Sequence, residues 1–255
     1  MLGIFDSGVG GLTVARAIRT LAPRADLFYL GDTAHAPYGN RSADELERLT
    51  LAILRRLRAE RCDVIVSACN SVSAAVLRPM FDLFDSGGGR IVEMVGPSAD
   101  GLRAQGVRDV AVLATAATCR TGMYAQACAE LGMRAAEIAV PALAGAVEAG
   151  DERAIGAAAE EAVARVPAGV SNVLFGCTHF PLVRERFVRA ARAQRRDLVF
   201  IDPAPFVAQE AIRRAGTLGR GRTRVACTKP TPTFARLAHE LLGVTEDEIE
   251  VMRLE

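Results

Sequence analysis

The chain has 255 residues, half of them hydrophobic, and 31 basic side chains against 30 acidic ones, for a formal net charge of +1. That length accommodates one large domain or two modest ones with a sizeable core. The even balance leaves no electrostatic footprint for nucleic acid or an anionic membrane, and no apolar run approaches the ~20 residues that a membrane span needs.

Short β-rich apolar runs alternate with helix-length segments along the chain. A strand at 2–5 runs into a glycine-rich turn and a helix at 11–21. A strand at 27–30 precedes a helix at 42–60, where Leu46, Leu49, Ile53, Leu54 and Leu57 form one apolar face and Ser42 with Glu45 forms a capping box. Strands at 64–67 and 91–94 bracket a helix at 72–84. Helices at 98–106 and 120–131 then alternate with strands at 110–114 and 135–139. The rest reads helix 152–166, strand 173–175, helix 181–194, strand 198–201, helix 205–215, strand 224–226 and helix 233–242. The basic run RAARAQRR at 189–196 is a solvated helix face.

This alternation predicts an α/β protein with mostly parallel sheets flanked by helices. SGGGR at 86–90 and VGPS at 95–98 punctuate the middle. Two domains of similar build are expected, one formed by 1–95 plus 205–255 and the other by 96–204, with an active site in the cleft between them.

Two stretches carry the chemistry. VIVSACNSVSA ends an apolar run in Cys69, Asn70 and Ser71, and NVLFGCTHFPL ends another in Cys177, Thr178 and His179. Ligands of open parallel sheets bind beyond the carboxyl ends of strands, and a helix N-terminus there favours thiolate and suits a carboxylate ligand. Cys-Asn-Ser and Cys-Thr-His are odd choices for apolar packing. Two thiols facing each other across a cleft suit one reaction well: one removes a proton from a carbon, and the other delivers one from the opposite face. Cys62, Cys119, Cys128 and Cys227 lack such a setting and read as packing residues.

GIFDSGVGGLTV puts Asp6 and Ser7 at the end of the first strand, where the carboxylate can hold a substrate ammonium. A dinucleotide loop is disfavoured, because Thr13 stands where the third glycine belongs. In GDTAHAPYGNRS, Tyr38 can reach a ligand through its hydroxyl and Gly39 through its N–H. Cys177-x-His179 invites a cysteine-hydrolase reading, but residues two apart at a strand end need not face each other. His35 and His239 read as surface residues. No cofactor is expected. Lys229, the single lysine, sits between Thr228 and Pro230 and is a poor Schiff-base candidate. No metal is expected either, because no Cys-x-x-Cys pair exists. The start MLGIFDSG carries no basic leader, so a cytoplasmic protein with free thiols is expected.

Taken together and in order, GIFDSGVGGLTV, GDTAHAPYG, ACNSVSA and GCTHFPL resemble the glutamate racemases of the cofactor-independent amino-acid racemase family. TAATCRTGMY, VPALAGAVEAG, FIDPA and CTKPTPTFARLAHELLG are similar in character, so the likeness covers nearly the whole chain. The resemblance implies interconversion of L- and D-glutamate, supplying D-glutamate for peptidoglycan, with Cys69 and Cys177 as the acid–base pair. It implies substrate contacts from Asp6, Ser7, Tyr38, Gly39, Asn70, Ser71, Thr178 and His179. Asp6, Glu148 and His179 would tune the thiols, Thr118 would belong to the pocket wall, and the protein would be a homodimer. Ser71 replaces the family's usual threonine, and Ala36 and Asn40-Arg41 depart from its usual residues around Pro-Tyr-Gly. Pocket size is therefore open, and so are a racemase for aspartate or another amino acid and a catalytically silent binding protein.

Overall fold

The computed structural model describes residues 1–80, 90–216 and 219–254. It contains two parallel sheets. The first runs in the order β10-β9-β2-β1-β3-β4, from β1 (Leu2–Asp6), β2 (Leu27–Gly31), β3 (Val64–Ser67), β4 (Ile91–Val92), β9 (Thr223–Cys227) and β10 (Ile249–Val251). The second runs β6-β5-β7-β8, from β5 (Asp109–Ala114), β6 (Arg134–Ala139), β7 (Asn172–Gly176) and β8 (Val199–Ile201). Every strand pair among the described residues is parallel, from Leu2 beside Leu27 in the first sheet to Val110 beside Asn172 in the second.

Parallel strands covered on both faces read as continuous apolar runs, and β1, β2 and β3 are buried throughout. Side chains alternate between faces. Ile4, Tyr29 and Val66 join one core with α1 (Leu12–Leu21), while Phe5, Phe28 and Ile65 join another under α2 (Ala43–Ala59). The second sheet is sandwiched likewise. Leu113, Phe175, Phe187 and Phe200 lie on one face, with the Phe175 and Phe187 rings 5.1 Å apart, and Val112, Leu174 and Tyr124 lie on the other. Each such side chain fully buried contributes about 1.5–3 kcal/mol.

Most expected elements are present, and the departures have local causes. The capping box on α2 forms, with Glu45 N–H donating to Ser42 Oγ. Where one helix was expected from residue 72, α3 (Asn70–Val72) passes into a π turn (Ser73–Leu77) and a 3₁₀ turn (Arg78–Met80). The remainder of that expected helix, 81–84, lies outside the described residues, as does the punctuation at 86–89. The next helix, α4 (Val95–Ala104), starts three residues early because the Glu93 carboxylate accepts the Val95 and Gly96 N–H groups. The helix expected at 120–131 is two, α5 (Ala116–Thr121) and α6 (Met123–Glu130). Thr115 caps the first, and Gly122 breaks the run at φ +64°. A helix not foreseen, α7 (Leu143–Ala149), ends at Gly150, φ +68°, before α8 (Glu152–Ala164). Pro181 starts a 3₁₀ turn (Phe180–Val183) ahead of α9 (Arg184–Ala193).

The chain rejoins the first sheet through α10 (Ala204–Ala215), whose Ala204, Val207, Ala208 and Ala211 enter the core under α1. It closes with α11 (Pro232–Leu242) and the unforeseen β10. No helix among the described residues is long and apolar enough to cross a membrane.

Candidate active site

The carboxyl ends of β1, β2, β3, β5 and β7 converge, and each hands a polar or sulfur-bearing residue to the junction between the sheets. Cys69 follows β3 as the N-cap of α3, and Cys177 follows β7 directly. Both are nearly fully buried, at 4% and 5% exposure, and they line one cavity. Ser7, Tyr38, Gly39, Asn70, Ser71, Thr178 and His179 line it with them. The space left between these walls is about 10 Å³, barely the room one water needs. A larger cleft of about 660 Å³ lies elsewhere between the two halves, beside Arg16, Leu182, Asp202 and Leu237, and contains neither thiol.

Three of the expected residues stand behind this lining. Asp6 is fully buried. One carboxylate oxygen accepts the Gly8 and Gly11 N–H groups at 3.3 and 3.0 Å, and the other accepts the Thr178 hydroxyl at 3.3 Å. Glu148 meets His179 Nε2 at 2.7 Å and accepts the Val9 N–H at 3.0 Å. Thr118 bonds Thr115 Oγ1 at 3.0 Å. The glycine-rich turn lets the two halves approach this closely. A methyl on Gly8 would lie 1.9 Å from Glu148, and one on Gly10 would lie 2.4 Å from Thr178 Oγ1 and 2.8 Å from the His179 nitrogen.

Thr115, Pro37 and Ala144 also line the cavity, although sequence reasoning did not single them out. Thr115 stands one residue past β5 and bonds Ser71 Oγ at 2.9 Å, which joins hydroxyls from the two halves. Its position beyond a strand end was the available signal. Asn70 accepts the Tyr124 hydroxyl at 2.5 Å, and its Nδ2 is buried with no partner among the described residues. That unsatisfied donor costs about 1–3 kcal/mol unless an acceptor meets it.

The electrostatics differ at the two thiols. The helix terminus was expected to lower both thiol pKa values, but at Cys69 the net shift is upward. Burial is the main cause and the Asp6 charge the next, and they outweigh the pull of the Val72 and Ser71 N–H groups. His179 faces its neighbour two residues back, with Nδ1 3.8 Å from Cys177 Sγ, as a role in tuning that thiol requires. Burial opposes charge on His179. The hydrogen bonds to Cys177 and Glu148 outweigh that and hold it well above the ordinary imidazole value. Burial likewise pushes Glu148 up, but the His179 bond and charge and the Val9 N–H leave it lowered. The result is a buried imidazolium–carboxylate pair beside one sulfur only.

The remaining cysteines fit the packing reading: Cys128 and Cys227 are fully buried, and burial pushes Cys62 and Cys119 up to about 11 and about 12. His35, expected at the surface, is partly exposed and bonds Asp32 at 2.9 Å. Among the described residues no group of three or more His, Cys, Asp or Glu side chains is placed to hold a metal ion.

The sequence profile of the family described as Asp/Glu/Hydantoin racemase matches residues 12–211. The chain belongs to that family. A glutamate racemase of Desulforudis audaxviator is 35% identical over 231 residues, covering 86% of this chain and 80% of that one. One from Acidothermus cellulolyticus is 33% identical over 257 residues, covering 95% of each. Among solved structures, the glutamate racemase of Thermus thermophilus in complex with β-chloro-D-alanine superposes with a TM-score of 0.81 at 31% identity, over 99% of this chain and 96% of that one. The aspartate racemase of Picrophilus torridus is similar in fold alone, with a TM-score of 0.59 at 18% identity over 85% of this chain and 95% of that one.

Proposed function

We propose that this family member is a cofactor-independent glutamate racemase. Cys69 and Cys177 exchange the Cα proton from opposite faces, within units formed by 1–95 plus 205–255 and by 96–204. The observation that carries the reading is the placement of two thiols, one beyond a strand of each sheet, on one closed cavity with unlike charge partners. His179, held charged beside Glu148, stands 3.8 Å from the Cys177 sulfur, while burial and Asp6 favour the protonated thiol at Cys69. One sulfur is then disposed to take the proton and the other to give one. The C–H bond breaks toward the thiolate, the electron pair stays on Cα, and a new C–H bond forms on the other face. The reverse reaction exchanges the roles.

Asn70 Nδ2 and the Ser7, Ser71, Thr115 and Thr178 hydroxyls supply neutral hydrogen-bond partners for the substrate carboxylates. Asp6 acts through Thr178 and the glycine-rich turn, and Glu148 through His179. An amino acid needs more room than the closed cavity holds, so the halves part for each exchange of substrate and product. The names of the relatives support glutamate as substrate, and the proposed use of the product is D-glutamate for peptidoglycan. A cytoplasmic homodimer accords with that role.

Incubation of the purified protein with L-glutamate in heavy water, without added cofactor, is expected to give D-glutamate carrying deuterium at Cα. Exchange with aspartate and not glutamate moves the substrate assignment, and no turnover of either overturns the racemase reading.

A further inference from the structure

The proton transfers do not use the buried acid Asp32. Asp32, fully buried one residue past β2, gathers donors from two separate stretches of chain. Its oxygens accept the Tyr38 hydroxyl at 2.5 Å and the Thr228 hydroxyl at 2.7 Å, and they meet His35 Nδ1 at 2.9 Å. Thr228 follows the last residue of β9, and its hydroxyl also accepts the Ala34 N–H at 2.9 Å. Thr33 and Lys229 exchange two further bonds, at 2.5 and 2.9 Å. The loop after β2 is thus fastened to the end of β9 before it reaches the cavity.

That loop then supplies one wall. Tyr38 and Gly39 line the cavity, and the Gly39 carbonyl accepts the Ala117 N–H of α5 at 2.9 Å. A methyl on Gly39 would lie 2.9 Å from Thr115, so the wall is pressed against the other half. The Tyr38 hydroxyl, which the sequence suggested for the ligand, donates its proton to Asp32.

We infer that Asp32 is a positioning residue for the racemase reaction: it tethers Tyr38 through the phenol and so sets where the Tyr38–Gly39 wall meets the substrate. This rests on the racemase reading of the cavity. A carboxylate can accept from Tyr38, Thr228 and His35 together. A carboxamide has one acceptor oxygen and turns a donor toward the others, so it cannot reproduce the set. A bond between a phenol and a buried carboxylate belongs to the stronger, charge-assisted kind.

Asp32→Asn and Tyr38→Phe are the test, and the second removes one oxygen while keeping the ring that fills the core. Each is expected to raise KM for glutamate about 10- to 100-fold, the worth of one hydrogen bond to a charged group. kcat should stay within about threefold, because neither residue exchanges the proton. The double variant is expected to be no worse than D32N alone, because both changes cut the same bond. Unchanged KM in both single variants, or losses that multiply in the double variant, overturn the tether. A downfield, slowly exchanging hydroxyl proton in the NMR spectrum, absent from Y38F, reads the bond itself. It is expected to vanish in D32N, and its persistence there overturns the inference. Failure of the wild type to racemise glutamate sinks the racemase reading instead, and the hydroxyl signal still decides the tether.

Discussion

Replacing either Cys69 or Cys177 by serine lowers glutamate racemisation by about 10²- to 10⁴-fold, the usual worth of a positioned general acid or base. The hydroxyl keeps the shape and the hydrogen-bonding capacity of the side chain. It is a far weaker acid than a thiol, so neither the thiolate nor its matched proton donor is at hand. Both sulfurs are needed for inversion because each serves one face of Cα. The measurement is racemisation rate with the appearance of Cα deuterium from heavy water. Full activity in either variant removes that thiol from the mechanism. Thermal melts should change little, because the substitution exchanges one buried, small side chain for another of similar size.

Glu148→Gln has the second largest effect, and it is recognised by its pH dependence. Glu148 does not line the cavity, yet it is one of the two partners that hold His179 charged. Without its charge, the His179 pKa falls back toward the ordinary 6.5. The alkaline limb of kcat therefore moves to lower pH, and kcat near pH 8 falls about 10- to 100-fold, as expected for a lost hydrogen bond to a charged group. Stability follows the same pair. A raised His179 contributes fully below the ordinary 6.5, and its contribution is lost as pH rises through the folded-state value. A lowered Glu148 contributes above the ordinary 4.5, and its contribution is lost as pH falls through the folded-state value. Both contributions are whole between those two ordinary values, so the difference in melting temperature between wild type and E148Q should be widest there. An alkaline limb that stays in place in E148Q removes Glu148 from the control of His179.

Much of this was legible in the sequence because the chemistry sits at strand ends, where an apolar run stops and polar residues begin. Cys69, Asn70 and Ser71 announce themselves that way, as do Cys177 and Thr178. Thr115 does so too, one residue past β5, with the Thr118 of the family-like segment behind it. Pro37 and Ala144 carry no chemical signature and line the cavity only through tertiary packing. The contact of His179 with Cys177 arises in the backbone between the end of β7 and the 3₁₀ turn that Pro181 starts, a geometry that the Cys-x-His spacing leaves open. Asp32 lay within a recognised motif, but its importance comes from Thr228, almost two hundred positions away in the chain. Helix α7 has only seven residues, three of them alanine, so its buried Leu143 and Val147 span a single turn, and β10 is too short to show alternation.

The strand order also bears on how the molecule is made. The four strands of the second sheet lie together between Asp109 and Ile201, whereas β2 waits for β9 and β10 to cover its outer side. On the ribosome, the later-starting sheet is therefore complete while the earlier one still lacks two strands. Nascent chains that have emerged as far as residue 216 should already shield Asp109–Ile201 from protease while leaving Leu27–Gly31 open to cutting. The thiol of Cys69, though synthesised long before that of Cys177, would then be the last to gain its finished surroundings.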